Sequence, residues 1–212
     1  MVKGAMLNVG LTGGIACGKS TVGRMLEEKG AFLIDFDRLA HEVEEPDQPA
    51  WRNIVGCFGP EVLKADRTLD RARLGAIVFA DRRKLDKLNE LVHPAVFDAW
   101  QRRMAAIRAI RPDAIVIADI PLLVELGMQG RVDLVMLVYI PRDEQIRRLI
   151  LRNGYSREEA LQRVHSQMPI EDKIPFADIL VDNSGTMEQT RAFIDDIWPR
   201  LLEKERRKKK PA

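Results

Sequence analysis

A chain of 212 residues is long enough for one α/β domain with a sizeable core, and about 70% of the unfolded surface is expected to be buried at this size. Charge is nearly balanced, 34 Lys and Arg against 32 Asp and Glu; six of the bases crowd into residues 203–210, so the body is slightly acidic and no broad basic face for nucleic acid is expected. Two cysteines, Cys17 and Cys57, exclude a disulfide framework or a Cys-based zinc site, and no apolar run approaches the ~20 residues of a membrane span, so a reducing cytoplasm is expected.

Residues 7–12 read as a short strand, and residues 19–29 as a helix with Val22, Met25 and Leu26 on one stripe. Between them, Gly13-Gly14-Ile15-Ala16-Cys17-Gly18-Lys19-Ser20-Thr21 fits Gly-x-x-x-x-Gly-Lys-Ser/Thr. A loop joining a strand to a helix N-terminus leaves backbone N–H groups without partners, aimed at one point and backed by the positive end of the helix dipole. That arrangement is an anion cradle. Glycines let the backbone wrap a phosphate, Lys19 brings a charge to the outer phosphates, and the Ser20 hydroxyl can ligate Mg²⁺. Cys17 reads as a spectator whose N–H matters more than its thiol.

Residues 32–35 form a second short strand, followed by Asp37 and a helix over residues 38–44, with Pro46 and Pro49 breaking the pattern. From residue 50 to 110 the sequence is helical and charged, without a convincing strand. The best helices there are 69–79, 82–92 and 94–110, the last opening with proline in its first turn and His93 extended before it. Apolar runs at 114–119 and 132–140 suit strands buried on two faces of a parallel sheet. Helices follow at 143–152, at 156–165 behind a Ser156/Glu159 capping box, and after a second box at Thr186/Gln189. Residues 179–182 supply a fifth strand. These elements describe an open, five-stranded, mostly parallel sheet with helices on both faces, whose ligands sit beyond the carboxyl ends of the strands. Asp35, Asp37, Asp119 and Asn183 fall on that rim.

Asp37 stands where an acceptor hydroxyl would meet a terminal phosphate, and a carboxylate there would take the hydroxyl proton. Spacing alone equally allows Asp37 to cap the helix behind it. Asp119 closes an apolar strand as a Walker B acid does and would hold Mg²⁺, the competing role being a strand-end cap or salt bridge. Arg148 and Arg152, four apart, share a helix face that could close on phosphate or could simply be solvated.

With these positions in hand, the chain resembles the dephospho-CoA kinases over about residues 6–202. The resemblance is carried by Leu11-Thr12-Gly13-Gly14-Ile15 running into Gly18-Lys19-Ser20-Thr21, by Ile34-Asp35-Phe36-Asp37 with Ala40, and by Leu69-Asp70-Arg71 and His93-Pro94. It continues through Asp119-Ile120-Pro121-Leu122-Leu123-Val124-Glu125, Gln145 with Arg148 and Arg152, Gln167, and Val181-Asp182-Asn183-Ser184-Gly185. It implies a P-loop NTPase fold and transfer of the γ-phosphoryl group of ATP, with Mg²⁺, to the ribose 3′-hydroxyl of dephospho-CoA. Asp37 would then be the base, Arg148 and Arg152 lid and phosphate contacts, and Asn183 a residue near the adenine. Arg71, His93 and Leu122 would lie on the acceptor side. A core of about 6–37, 113–144 and 177–202 would carry a helical acceptor-binding insertion at 38–112 and a lid at 145–176; apart from the resemblance, a monomer is expected, with a small homo-oligomer as the alternative. Ala16-Cys17 departs mildly from the commoner Gly-Ser, and His41 stands where many relatives carry arginine.

Two other readings remain. A nucleoside monophosphate or small-metabolite kinase would share the loop but not the Asp-x-Pro-Leu-Leu-x-Glu run. A nucleotide-dependent nucleic-acid-binding module would have to use the basic tail, which is expected to be solvated and dispensable.

Overall fold

β-Branched and apolar runs of four to seven residues, too short for helices and bounded by turns, become the five strands of the computed structural model, which describes residues 6–208. Their order is β2 (Phe32–Asp35), β3 (Ile115–Asp119), β1 (Leu7–Gly13), β4 (Leu134–Tyr139), β5 (Ile179–Asp182). β1 pairs parallel with both β3 and β4, setting Leu11 beside Asp119 and Gly13 beside Val138, and β4 pairs parallel with β5, setting Tyr139 beside Asp182. All seven residues of β1 are buried although alternate side chains point to opposite faces, so both faces of the sheet are covered.

α1 (Lys19–Glu28) and α9 (Met187–Lys208) pack on the sheet through Val22, Met25 and Leu26 and through Ile194, Ile197 and Leu201. A second cluster forms where α6 (Arg142–Asn153) meets α7 (Arg157–His165): Ile146, Leu149, Ala160 and Val164 are buried, with Ile15 and Ala16 of the glycine loop against them. Both capping boxes form reciprocally, Ser156 with Glu159 and Thr186 with Gln189.

Among the described residues, Asp35–Ala106 form one compact unit and the segments on either side form the other. The smaller unit holds α2 (Phe36–Val43), α3 (Pro49–Phe58), α4 (Arg71–Phe79) and most of α5 (Arg82–Ile110). Phe36 meets Trp100 edge-on at 5.2 Å, and the Trp51 indole N–H donates to the Arg67 carbonyl at 2.9 Å.

Several sequence expectations change. Pro49 opens α3 instead of breaking the pattern, because the first helical position needs no N–H donor. The helices expected at 82–92 and 94–110 are one: α5 runs through Pro94, so His93 is helical instead of extended. Val92, Val96, Ala99 and Trp100 are buried on both sides of that proline, and their packing outweighs the one lost backbone hydrogen bond. Leu69 makes an antiparallel bridge to Leu63 ahead of α4, and Asp70 caps that helix by accepting the Arg73 N–H. A short helix, α8 (Ile170–Lys173), was not legible. The tail is less solvated than expected, for Glu205 is buried and Lys208 pairs with Asp133 at 2.5 Å while donating to the Met6 carbonyl. Residues 209–212 of that tail lie outside the described residues.

Candidate functional site

The loop between β1 and α1 has the form its glycines require. A Cβ on Gly13 would lie 2.5 Å from the Cys17 sulfur and 2.7 Å from the Val138 carbonyl oxygen. Gly18 has φ +90° and a side chain there would strike the Asn183 amide. Ala16 takes the left-handed conformation at φ +59°, a strained position for a residue with a Cβ, of the sort concentrated at functional loops. Among the described residues, the N–H groups of Ala16, Gly18 and Ser20 find no acceptor, and the first turn of α1 holds no acid to neutralise the dipole. Unpartnered N–H groups at a helix N-terminus suit an anion with several oxygens.

Lys19 Nζ lies 3.6 Å from Asp119 Oδ1, both side chains largely shielded from solvent. The register of β1 with β3 produces this pairing, since Asp119 sits beside Leu11 at the carboxyl edge of the sheet. Thr12 donates its hydroxyl to the Pro121 carbonyl and fixes the turn after β3 to the same edge. Ser20 is exposed at the start of α1, and Thr21 donates its N–H to the Gly18 carbonyl.

Cys17 departs from expectation. Its N–H donates to the Gly14 carbonyl at 3.3 Å within the loop, and its buried thiol has its pKa raised by desolvation, against the lowering effect of Lys19. Asn183 is anchored against the same loop. Its side-chain amide donates to the Cys17 carbonyl at 2.7 Å, its side-chain oxygen accepts the Thr190 hydroxyl, and its own carbonyl accepts from Arg148. Arg148 is thereby held at the loop and also bonds Glu144, whose pKa is lowered to about 2 by hydrogen bonds from Arg147 and Arg148. Arg152 is exposed, and its Nε–H donates to the side-chain oxygen of its neighbour Asn153, with no other partner among the described residues. The two arginines therefore part company.

The loop is held from behind by contacts distant in the chain, which no local spacing signals. Gln167 accepts the Ile15 N–H at 2.8 Å, and the fully buried Lys173 reaches the Gly13 carbonyl while pairing with Glu125 at 2.6 Å. Gln145 is buried against Gly14. Glu125 offered a signal, an acid with no base three or four residues away on either side, so its partner had to come from a distant segment. Leu122, in the turn after β3, is exposed.

The Asp35–Ala106 unit holds the remaining candidates. Asp35 caps α2 by accepting the Arg38 N–H, so the capping alternative for Asp37 is overturned; Asp37 is exposed in the first turn with no hydrogen bond or ion pair among the described residues. Arg71 pairs with Glu44 at 2.7 Å on a groove also lined by His41, Lys64 and Asp70. Burial raises the Glu44 pKa despite that arginine, and burial lowers that of half-buried His93.

Residues 7–189 match the family model described as Dephospho-CoA kinase. The chain belongs to the dephospho-CoA kinase family. A dephospho-CoA kinase of Syntrophus aciditrophicus (strain SB) is 71% identical over 210 residues, covering 99% of this chain and 89% of that one. A solved structure from Thermus thermophilus superposes with a TM-score of 0.81 at 34% identity, over 93% of this chain and 98% of its own. The dephospho-CoA kinase from Campylobacter jejuni gives a TM-score of 0.70 at 26% identity, over 93% and 98%. The sheet is thus that of a P-loop kinase, and membership of the dephospho-CoA kinase family makes the chain an enzyme that uses ATP. Among the described residues no helix is long and apolar enough to cross a membrane, and no three His, Cys, Asp or Glu gather as a metal site.

Proposed function

We propose that this chain transfers the γ-phosphoryl group of ATP to the 3′-hydroxyl of dephospho-CoA, giving coenzyme A and ADP. The observation that carries the proposal is the loop with unpartnered N–H groups at Ala16, Gly18 and Ser20 beside Lys19, in a member of this family. Those donors and Lys19 hold the phosphates, and Arg148 approaches from α6 to offset charge on the transferred group. Arg152, one turn further along α6, is assigned to the phosphates with it.

Asp37 accepts the proton of the 3′-hydroxyl as its oxygen bonds to the γ-phosphorus and the bond to the β,γ-bridging oxygen breaks, with ADP leaving. Its freedom from capping supports that role. A hard cation such as Mg²⁺ prefers carboxylate, hydroxyl and phosphate oxygens, and the donor set fits it: Asp119 and Ser20 stand by the cradle without a closed cage around them. Bound there, Mg²⁺ neutralises phosphate charge. Arg71, His93 and Leu122 are assigned to the acceptor, residues 38–112 to its binding and 145–176 to a cover. The enzyme is read as a cytoplasmic monomer.

An acceptor panel with ATP and Mg²⁺ tests this. Dephospho-CoA is expected to be turned over at least a hundredfold faster than AMP, CMP or shikimate; turnover of one of those with none of dephospho-CoA would assign the loop to another small-molecule kinase.

A further inference from the structure

Lys173 is 0% exposed, and the only opposite charge reaching it in an ion pair among the described residues is Glu125 at 2.6 Å. Burying two charges carries a desolvation penalty that their attraction often fails to recover, and apolar residues of similar size usually serve packing as well or better. What the lysine touches explains it better than what it packs. Its Nζ is 3.4 Å from the carbonyl oxygen of Gly13, the last residue of β1 and the first of the phosphate loop. Its charge is also felt at the Cys17 thiol in the middle of that loop.

Two segments meet at this point. Glu125 comes from the turn after β3, which is tied to β1 by the Thr12 hydroxyl on the Pro121 carbonyl. Lys173 ends α8, and six residues earlier the same segment supplies Gln167, which accepts the Ile15 N–H at 2.8 Å. The loop is therefore gripped at Gly13 and again at Ile15 by one short segment, and neither contact occupies the N–H groups of Ala16, Gly18 and Ser20.

We propose that Lys173, charge-balanced by Glu125, is a positioning residue for the phosphoryl donor: it fixes the Gly13 carbonyl and, with Gln167, holds the loop in its nucleotide-accepting shape. The proposal deepens the functional reading above and rests on its claim that the loop binds ATP. Residues 167–173 then belong to the cradle, which narrows the moving part of the 145–176 cover assigned above to the residues before Gln167.

The test compares Lys173→Met with the double variant Lys173→Met/Glu125→Leu and the conservative Lys173→Arg, by calorimetric ATP binding, steady-state kinetics and melting temperature. Lys173→Met strands a buried carboxylate, so its Tm and its ATP affinity should both fall. The double variant removes both charges and should melt within about 3 °C of the wild type, yet bind ATP about tenfold more weakly and show a KM for ATP raised to match. Its KM for dephospho-CoA should stay within about twofold, and Lys173→Arg should recover part of the ATP affinity. A double variant that binds ATP as the wild type does would overturn the proposal, and so would one that fails to fold, since the pair would then be structural. Wild-type protein that ignores ATP would bring down the functional reading itself, a result distinct from either.

Discussion

The Asp35 carboxylate accepts the Arg38 backbone N–H at 3.0 Å and so performs the capping that Asp37, two residues on, could equally have been assigned. The pair is thereby split into a structural acid and an uncommitted one. Asp37→Asn should leave ATP affinity and Tm unchanged while lowering kcat by about 10²–10⁴. Asp35→Ala should do the reverse, costing about 1 kcal/mol of stability with the chemistry intact. Steady-state kinetics beside thermal melts of both variants check the division; equal kcat losses would erase it.

Lys19 lies 3.6 Å from Asp119 and, in the function proposed, also meets the incoming phosphates. Lys19→Ala is expected to lower kcat by about 10²-fold or more and to weaken ATP binding at the same time, because the charge acts before and during transfer. Isothermal titration with ATP and a turnover assay measure the two effects separately, and a variant that loses neither would remove Lys19 from the site.

Much of this was legible in the sequence because local chemistry enforced it. The Gly13–Thr21 pattern needs a strand before it and a helix after it, the apolar runs at β3 and β4 have no use outside a doubly covered sheet, and two capping boxes marked their helices. What escaped depends on contacts distant in the chain. Asn183 meets Cys17, and Lys173 meets Glu125 and Gly13, across separations that no spacing rule reports. Local rules also misread Pro94, where burial of Val92, Val96 and Trp100 outweighs the propensity of one residue.

Gly18 separates loop geometry from general stability. With φ +90° and the Asn183 amide in the way of any Cβ, Gly18→Ala should displace Asn183 from the Cys17 carbonyl, cost about 1–2 kcal/mol and weaken ATP binding at least tenfold. Gly56→Ala is the control. Gly56 lies inside α3 with open space around a Cβ, so the change should raise stability by about 0.5–1 kcal/mol and leave ATP binding alone. Melting curves and nucleotide titrations read both.

The two cysteines should differ in reactivity. Cys57 is exposed, whereas Cys17 is buried and desolvation holds its thiol above the ordinary value of 9.0. Iodoacetamide at pH 8 is expected to modify Cys57 and spare Cys17 until denaturant is added. In the fold Cys17 keeps its proton to higher pH than in the unfolded chain. Its contribution to stability is therefore complete below about pH 9 and is lost as pH rises through the folded value. Melts of wild type and Cys17→Ala from pH 7 to 10 should show the shallower decline in the variant.

The C-terminal turns of α9 carry buried Glu205 and the Lys208–Asp133 pair, and are expected to matter for stability and not for turnover. Removing residues 203–212 deletes buried Glu205 and the Lys208–Asp133 pair, and it should lower Tm by about 2–8 °C with kcat/KM unchanged. Truncated protein that melts as the full chain does would return the tail to the solvated role the sequence suggested.

The most direct test of the whole account is to incubate the purified chain with ATP, Mg²⁺ and dephospho-CoA, follow ADP release, and locate the new phosphate by phosphorus NMR. The account predicts stoichiometric ADP and coenzyme A bearing its phosphate on the ribose 3′-oxygen. ADP release that does not depend on dephospho-CoA, or a phosphate found elsewhere on the product, would contradict it.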